Sequence, residues 1–409
     1  MQLNPHAEQV AGEIPIAQDC RHFLSDRPCS FHKLSGVVCP CVHYEAVKDR
    51  ILIIKLDAMG DVLRTTSILP GLAIAHPGAK IYWLTKLESE PLLRHNPYIA
   101  EIWVHGADAL ALIGTIKFQR IINLDSGKLS AGLAACAIGD RKEGYLMNEN
   151  GWVQATNAPS REWLLMGIRD DIKRKNQRTY QSIIADILGI SIGAMDYVLS
   201  LTKQEIVWSQ AFLQTLGVRP GVPLVALHTG GGTRWRMKQW REEGFVKVCQ
   251  ILRDHCGSEV QFLLLGGPPE DATNRRIREA VEFPIFYTGE ALDLRQFCAV
   301  VGQCTVLVSG DTLAMHVALA LRRRVVTIFG PTSAAEIELY GRGEKIVAPL
   351  DCVCCYKMEC DFTPLCMDVI TPESVVAAVR RQMSLAERAM GHSESCEALC
   401  SARGLASGV

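Results

Sequence analysis

The segment that decides the fold is RILIIKLDAMGDVLRTTSILPGL, residues 50–72. Its early part, ILIIKL at 51–56, is a short continuous apolar run typical of a buried strand. AMGD at 58–61 indicates a tight turn, and VLRTTSILPGLAIAH at 62–76 has apolar residues at helical spacing. The segment therefore predicts a strand, a turn and a helix, which is the repeating unit of an α/β domain.

The same pattern recurs in both halves of the chain, with stretches between the strands that are long enough for crossover connections. Further strands are predicted at 80–85, 99–105, 120–125, 222–228, 260–265, 305–310 and 324–329, and helices at 243–256 and 314–321. This order favours two mainly parallel, doubly wound sheets.

These patterns give a domain plan. We predict an N-terminal Rossmann-like domain over 49–200 and a second one over 201–370, facing each other across a cleft. A helix capped by Thr371 is expected over 371–390, and a flexible tail over 391–409. Residues 1–48 are polar, rich in Cys and His, and without useful periodicity, so they are predicted to form an appendage.

The composition limits the possible partners. The 409 residues are 48% hydrophobic with a net charge of −1, which argues against nucleic acid as the main partner. No apolar run approaches the roughly 20 residues of a membrane span, and the start has no secretory pattern. We expect a cytoplasmic enzyme with at most peripheral contact at the inner face of the membrane.

The acidic residue at the first turn is the first candidate for chemistry. Gly60 permits a tight turn, and Asp61 lies where the strand gives way to the helix. Ligands of open α/β sheets bind at that edge, so Asp61 could act as a general base. It could equally be a helix N-cap.

Two later junctions are candidates for an anion site. HTGGGTRWRMKQW at 228–240 places Gly230 and Gly231 after a strand, where backbone amides can approach a phosphate, and Lys238 could add a charge. A structural turn explains the same glycines. SGDTLAMH at 309–316 places Thr312 at a helix start suited to phosphate, with Asp311 as a cap or a sugar contact, and His316 as a ligand contact or a buried histidine.

Together these segments resemble glycosyltransferase family 9, the ADP-heptose:lipopolysaccharide heptosyltransferases, over roughly residues 50–385. The resemblance rests on residues 51–72, on HTGGG with KQW, on SGDTLAMHVALAL followed by VVTIFGPTSAAEIE, and on ITPESVVAAV. It implies the two-domain fold called GT-B, with the acceptor on the first domain and the nucleotide-sugar donor on the second. It also implies transfer that inverts the anomeric configuration and needs no metal cofactor for the chemistry.

The resemblance also implies roles for individual residues. Asp61 would be the general base. The donor-binding residues would be Gly60, Thr229, Gly230, Gly231, Lys238, Glu270, Asp311, Thr312, Leu313 and His316. Leu313 departs from the family pattern, which commonly has Gly there, and this departure makes the identity of the donor less secure than the reaction type. The favoured donor is ADP-heptose, and the favoured acceptor is a hydroxyl of lipopolysaccharide core or a related surface glycan.

Nine of the sixteen cysteines fall into two clusters. Cys352, Cys355, Cys360 and Cys366, with Cys354 as an extra, lie in a loop at 351–367 whose thiols suit a structural zinc or iron site. Some autotransporter heptosyltransferases of the family use a cysteine-ligated iron there; unligated thiols are the alternative. A less regular second candidate site has Cys20, Cys29, His32, Cys39 and Cys41, with His43 nearby. The remaining cysteines assessed, expected to be buried hydrophobes, are Cys136, Cys249, Cys256, Cys298 and Cys304.

Alternative functions remain open at this point. A protein of the autotransporter type could be the acceptor, and the same fold could serve a nucleotide-sugar epimerase or hydrolase. A metal-stapled binding protein without turnover is the non-enzymatic alternative. The basic stretch IKRKNQRTY at 172–180 could meet an anionic acceptor, although a solvated helix face is the favoured interpretation.

Overall fold

The protein is described by a computed structural model, which covers residues 16–191, 193, 195–232 and 236–403. Each of two sheets has six strands, and each sheet belongs to one half of the chain. The strands are β1 Arg50–Ile54, β2 Lys80–Thr85, β3 Ile99–Val104, β4 Phe118–Asn123, β5 Gly139–Met147, β6 Val153–Ala155, β7 Leu224–His228, β8 Gln261–Leu265, β9 Phe286–Tyr287, β10 Val306–Gly310, β11 Arg324–Phe329 and β12 Gly343–Val347.

The helices cover the sheets on both faces, as expected for crossover connections. They are α1 Ser30–Ser35, α2 Met59–Thr65, α3 Ile68–Ala75, α4 Ala107–Ile113, α5 Lys128–Cys136, α6 Ala158–Ile168, α7 Asp170–Lys175, α8 Tyr180–Leu188, α9 Lys203–Thr215, α10 Glu242–Cys256, α11 Asp271–Glu279, α12 Leu294–Val301, α13 Leu313–Ala320 and α14 Pro372–Arg403. None of the helices in the described part of the chain is both long and apolar enough to cross a membrane.

The first sheet has the strand order β3-β2-β1-β4-β5-β6, and its strands are parallel except for the antiparallel edge strand β6. Alternation along β1 explains why its run is continuously apolar. Ile51 and Ile53 pack into the core on one face, whereas Leu52 and Ile54 pack into the core on the other. A central parallel strand is therefore buried on both faces, as the sequence predicted.

The second sheet has the order β12-β11-β10-β7-β8-β9, and all its pairings are parallel. Its two faces carry two further cores. One of these cores also contains Leu63 from α2 and Leu92 of the first half, packed with Met315 and Ala314 of α13. The two halves therefore share a continuous apolar contact beside α2 and α13.

The structure corrects the predicted helix over 62–76, which is two helices with a break at Thr66 and Ser67. Both residues form short backbone bonds to the carbonyl three residues earlier, and both hydroxyls bond the same carbonyls, Leu63 and Arg64. Hydroxyl side chains that compete for backbone groups in this way favour a tight 3₁₀-like turn over a continuous α-helix.

Two other predictions need correction. The final helix does not end at 390 but continues to Arg403, so the predicted helix boundary is wrong; residues 404–409 lie outside the described residues. Cys136, at the end of α5, is exposed rather than buried, and Cys256 is only half-buried. Cys249, Cys298 and Cys304 are buried as expected.

Candidate active site

The predicted site residues lie where strands of the two sheets end. Asp61 follows β1, the glycine loop follows β7, Glu270 follows β8, and Asp311 follows β10. The carboxyl ends of parallel strands share one edge of a sheet, which is where open α/β sheets bind their ligands. The fold therefore gathers residues that are far apart in sequence at two facing edges.

Asp61 lies in the first turn of α2 and is held by neighbours on its own helix. Its Oδ1 is 2.9 Å from Arg64 Nε, and its Oδ2 accepts a hydrogen bond from the backbone N–H of Ala58 at 3.3 Å. The side chain of Asp61 nevertheless keeps 39% of its surface exposed, whereas that of Arg64 keeps 13%. The N-cap residue of α2 is Ala58, so the interpretation of Asp61 as the N-cap is wrong; Asp61 is the third residue of the helix, and its carboxylate accepts from the N–H of the N-cap while still reaching solvent.

The charge state of Asp61 is set by the cations around it. Burial by itself raises the pKa of this carboxyl, but Arg64 and Lys55 oppose that effect and bring the pKa down from 3.8 to about 2. The partial exposure of the carboxylate means that water also solvates the charge. Asp61 is therefore ionised at any physiological pH.

Arg64 is fixed in turn by a tyrosine. Its guanidinium carbon lies 3.9 Å from the ring centroid of Tyr180, a cation–π contact, and the Tyr180 hydroxyl is 2.6 Å from the hydroxyl of Thr65. Tyr180 is fully buried and donates its backbone N–H to the carbonyl of Glu336 in the second half of the chain. The predicted solvated face over 172–180 is therefore wrong for Tyr180, which supports the site from beneath.

Gly60 lies close to the second half of the chain at the site. A Cβ atom at this position would lie 2.8 Å from Cδ2 of His316, so no residue larger than glycine fits without displacement. His316 is buried on α13, and its Nδ1 is 3.2 Å from the hydroxyl of Tyr197. Gly60, predicted to contact the donor, thus serves in this structure to let α2 and α13 meet.

Burial also decides the charge of His316. Loss of solvent lowers the pKa of the imidazole from 6.5 to about 4, and the carboxylate of Asp311, with Oδ1 3.9 Å from Nε2, opposes this only in part. His316 is therefore neutral at neutral pH. A neutral imidazole can donate or accept a hydrogen bond at a donor diphosphate, but it adds no positive charge there.

The glycine loop after β7 is packed against the turn that follows β8. A Cβ atom on Gly230 would lie 2.4 Å from Oε1 of Glu270, and one on Gly231 would lie 3.0 Å from Cβ of Gln239. The hydroxyl of Thr229 is buried and donates to Oδ1 of Asn274 at 2.8 Å. Thr229 thus supports the loop from inside, while Glu270 lies directly over it.

Lys238 and the start of α13 form the cationic part of the second edge. Lys238 Nζ donates to the carbonyl of Asp311 at 2.6 Å, which places the ammonium group beside the helix start. The hydroxyl of Thr312, the N-cap residue, is buried and has no hydrogen-bond partner among the described residues. Leu313 is the first residue of the helix and half-buried. A buried hydroxyl without a partner beside free helix amides suits an anionic ligand.

His228, which the sequence analysis did not select, ends β7 beside this loop. The residue is half-buried, and its Nδ1 is buried without a partner in the described residues. Burial lowers its pKa, although Glu270 pulls in the opposite direction. The position of His228 directly before a glycine loop could have identified it as a candidate site residue from the sequence.

A cavity of about 290 Å³ opens on the Asp61 side of the cleft. It brings together side chains that the sequence analysis left out, and both halves of the chain contribute to it. Its charged or polar lining consists of Lys55, Asp61, Arg64, Asp125, Ser126, Tyr145, Lys173, Glu336 and Tyr356.

Two ion contacts organise this cavity. Lys55, which is buried, pairs with Asp125, and Asp125 also accepts from the backbone N–H of Leu56 at 2.6 Å. Lys173 Nζ lies 4.3 Å from the ring centroid of Tyr356, so the basic stretch contributes to the cavity and not only to a solvated surface. Tyr356 in turn lies within the cysteine loop. The loop therefore forms part of the cavity wall.

The four predicted thiols of the cysteine loop line one cavity of about 200 Å³, and Cys354 lies outside it. Burial raises the pKa of Cys366 to about 11, helped by the nearness of Cys355, Cys352 and Cys360. In the described parts of the chain, no three His, Cys, Asp or Glu side chains are arranged to hold a metal ion. The donor atoms thus suit zinc or iron and lie together, but they do not form a closed ligand set.

Comparison with known proteins agrees with this architecture. The family model described as glycosyltransferase family 9 (heptosyltransferase) matches residues 166–366. Lipopolysaccharide heptosyltransferase 1 of Escherichia coli K12 is 23% identical over an alignment of 316 positions, which covers 73% of this chain and 92% of that protein.

Solved structures share the fold. A family 9 glycosyltransferase from Veillonella parvula superposes with a TM-score of 0.63 at 17% identity, covering 82% of this chain and 97% of that one. The E. coli ADP-heptose lipopolysaccharide heptosyltransferase II gives a TM-score of 0.60 at 17% identity, covering 83% and 99%. The two facing α/β sheets have the GT-B fold that these structures share. The chain belongs to glycosyltransferase family 9.

Proposed function

We propose that this enzyme transfers heptose from ADP-heptose to a hydroxyl of lipopolysaccharide core, with inversion at the anomeric carbon. The observation that carries the proposal is the position of Asp61, whose ionised, partly exposed carboxylate lines a cavity directly beside the start of α13. The sequence similarity to lipopolysaccharide heptosyltransferase 1 supports the donor and acceptor classes. We place the reaction in the cytoplasm, at the inner face of the membrane.

Asp61 acts as the base of a single displacement. An acceptor hydroxyl in the cavity attacks the anomeric carbon from the Asp61 side, while the diphosphate leaves on the other side, so the configuration inverts. A carboxylate with so low a pKa does not remove the proton from a free hydroxyl. It accepts the proton late, after the attacking oxygen has begun to bond to carbon and has become acidic. Its negative charge also stabilises the cationic character of the sugar in the transition state.

Arg64 is a positioning residue in this mechanism. It acts through Asp61, because its Nε lies beside one carboxylate oxygen while the ring of Tyr180, whose hydroxyl is hydrogen-bonded to Thr65, packs against the guanidinium. The other oxygen, which faces the Ala58 N–H at a longer 3.3 Å, is the better proton acceptor. The arrangement keeps the base oriented before the acceptor arrives.

The leaving ADP is stabilised at the second edge. Lys238 supplies a positive charge beside α13, and the amides of the helix start together with the Thr312 hydroxyl donate hydrogen bonds to the diphosphate. Asp311 contacts the sugar, and Glu270 lies where the nucleoside approaches the glycine loop. These groups provide charge stabilisation from the chain itself.

The cysteine loop has a structural role in this proposal. Cys352, Cys355, Cys360 and Cys366 would hold a zinc or iron ion, which would close a loop whose lining is otherwise half-exposed. Such an ion would fix Tyr356, which lines the acceptor cavity and faces Lys173. No catalytic step passes through the metal.

The test measures ADP release from ADP-heptose with heptose-deficient lipopolysaccharide. Asp61→Asn keeps the size of the side chain but removes the base, and we expect turnover to fall by about 10²- to 10⁴-fold with donor binding retained. Asp140→Asn is the matched control, because Asp140 pairs with Lys117 at the opposite end of the strands. It should retain wild-type turnover.

Other outcomes would point elsewhere. Equal turnover in both variants would remove Asp61 from the mechanism. Donor binding without any acceptor-dependent release would favour a binding protein, whereas conversion of the nucleotide sugar without acceptor would favour an epimerase or hydrolase. Transfer to an autotransporter-type protein, and not to lipopolysaccharide, would identify a protein acceptor.

A further inference from the structure

Residues 16–48 form a compact segment without a hydrophobic core. It contains the short helix α1 and one isolated β-bridge, between Cys20 and Ala46. None of the residues from 16 to 48 is buried. A segment of this size cannot be held in one conformation by apolar burial, so it needs another source of stability, such as a disulfide or a metal ion.

Sulfur and imidazole groups are concentrated in the middle of this segment. One cavity of about 290 Å³ is lined by the four thiols Cys20, Cys29, Cys39 and Cys41. The rings of three histidines line the same cavity, namely His22, His32 and His43. Most of the other lining side chains are apolar, among them Phe23, Phe31, Val37 and Val38. The potential metal ligands therefore line one cavity that has few competing polar groups.

His32 is oriented as metal-binding histidines usually are. Its Nδ1 is 2.9 Å from the carbonyl oxygen of Val37. Because a carbonyl can only accept, Nδ1 carries the proton, and Nε2 of the neutral ring has the free lone pair. A backbone carbonyl that fixes one ring nitrogen while the other binds the ion is the common arrangement around metal-bound imidazoles.

We infer that residues 16–48 bind one zinc ion through Cys29, Cys39 and Cys41, with Cys20 or Nε2 of His32 as the fourth ligand. Three thiolates with a further thiolate or imidazole match the tetrahedral preference of zinc. Each thiol that binds releases its proton to solvent. In the described residues no three of these side chains yet converge on one point, so binding draws the thiols inward. The segment can close in this way because no core has to open.

The place where the segment docks indicates a structural role. Arg21 donates to the carbonyl of Ala79 at 2.7 Å, immediately before β2, and Val47 bonds back to Asp19 shortly before β1 begins. The segment therefore sits at the amino ends of the first sheet, opposite the edge that carries Asp61. Zinc should order this segment and leave the chemistry of sugar transfer unaffected.

The experiment uses the full chain, stripped of metal under reducing conditions and titrated with Co²⁺ as a probe of thiolate ligation. In the double variant Cys29→Ser/Cys39→Ser, the protein should bind one equivalent of Co²⁺ less than the wild type does. The loss should be seen as a lower thiolate-to-cobalt charge-transfer absorption. Cys352→Ser combined with Cys355→Ser should leave that equivalent in place, and Cys136→Ser, at an exposed cysteine outside both cavities, should change nothing. The single variants Cys20→Ser and His32→Ala then identify the fourth ligand, because only the variant that lacks this ligand should bind Co²⁺ more weakly.

A second measurement follows the segment itself. Zinc at about ten times its Kd should slow proteolysis within residues 16–48, and alkylation of their thiols, by roughly 10-fold in the wild type. The Cys29/Cys39 variant should show no such protection, while acceptor-dependent turnover confirms that it is folded. Equal Co²⁺ binding in wild type and variant, or no change in protection by zinc, would overturn the inference whatever the sugar substrate proves to be.

Discussion

Two strand-to-helix junctions face each other in this enzyme, and they have the same local topology. They differ in charge: the first carries a paired carboxylate, and the second carries a lysine and a hydroxyl that is unpaired in the described residues. At the end of β1, the carboxylate of Asp61 is already satisfied by Arg64 and the Ala58 N–H. At the end of β10, the Thr312 hydroxyl is buried without a partner among the described residues, and Lys238 lies alongside. The carboxylate of the first junction is therefore paired with groups of the protein itself. The second junction has hydrogen-bond donors without a partner in the described part of the protein, which can bind a negatively charged ligand.

This difference follows from what each junction must do during transfer. A base must hold one ionisation state and one orientation before substrate binds, so its partners are built into the protein. An anion site must exchange its partner at every turnover, so its donors are left free. The contrast between the two junctions can be tested with variants at three places: the contact of Gly60 with His316, the first junction and the second junction.

The largest effect is expected at the contact, from the burial of neutral His316. Its folded pKa, near 4, lies below its unfolded value of 6.5, so the unfolded chain binds a proton first. The resulting stability is fully present above about pH 6.5 and is lost as the pH falls toward 4, with a total of at most about 3 kcal/mol. In thermal unfolding against pH, His316→Asn should flatten this fall. The exposed His255→Asn on α10 should not, and equal slopes for both would contradict the burial of a neutral ring.

At the first junction, Arg64→Gln removes the cation but keeps a polar side chain. We expect turnover to fall by about 10- to 100-fold, because Asp61 loses its fixed orientation. The pKa of Asp61 should also rise toward its ordinary value, so the variant loses activity at a higher pH on the acid side than the wild type does. Steady-state rates between pH 3 and 7, on the order of one measurement per half unit, test both effects.

The Arg64 experiment has a control in Arg94→Gln, since Arg94 forms an exposed i,i+4 pair with Glu90. That variant should retain both the rate and the acid limb. A fall in turnover for Arg64→Gln with an unchanged acid limb would mean that Arg64 contributes packing rather than charge.

A smaller effect is expected from enlarging the residue at the contact itself. Gly60→Ala places a methyl group 2.8 Å from the His316 ring, and overpacking of this kind costs roughly 1–2 kcal/mol. Gly132→Ala, in α5 with nothing near its added Cβ, should instead stabilise by about 0.5–1 kcal/mol. Denaturant titration of both variants distinguishes the clash from the general preference of helices for alanine.

The smallest effect is expected at the second junction, where one variant should leave stability equal or higher but lower the affinity for ADP. Thr312→Val removes a buried hydroxyl that has no partner in the described protein, so the stability of the ligand-free enzyme should stay equal or rise. Binding of ADP should weaken by about 10-fold, because in the proposed mechanism this hydroxyl donates to the diphosphate. Calorimetric titration with ADP measures the second effect.

Thr327→Val is the matched control, since Thr327 is buried in β11 and its hydroxyl is also unpartnered in the described residues. It should change stability in the same direction without affecting ADP. Weaker ADP binding in both variants would mean that the effect comes from packing of the sheet and not from the open donor at the helix start.

The sequence by itself determined the two parallel sheets and the positions of their junctions. The continuous apolar run at 51–54 reports burial on both faces, and each turn with Gly or Asp followed by helical spacing marks a strand end. Local patterns of this kind arise from backbone geometry and solvent exclusion, which act over a few residues. They were sufficient to select Asp61, Lys238 and Thr312.

Only the tertiary structure decided which partners complete the site. The contacts of Tyr180 with Arg64 and of His316 with Gly60, and the place of Tyr356 beside Asp61 in one cavity, join distant parts of the chain. Local sequence patterns do not show which of these residues meet. The charge of His316 likewise depends on burial, which is a property of the packed interface between the halves. Sequence patterns predict where a strand ends, whereas electrostatic state depends on what the fold brings within a few ångströms.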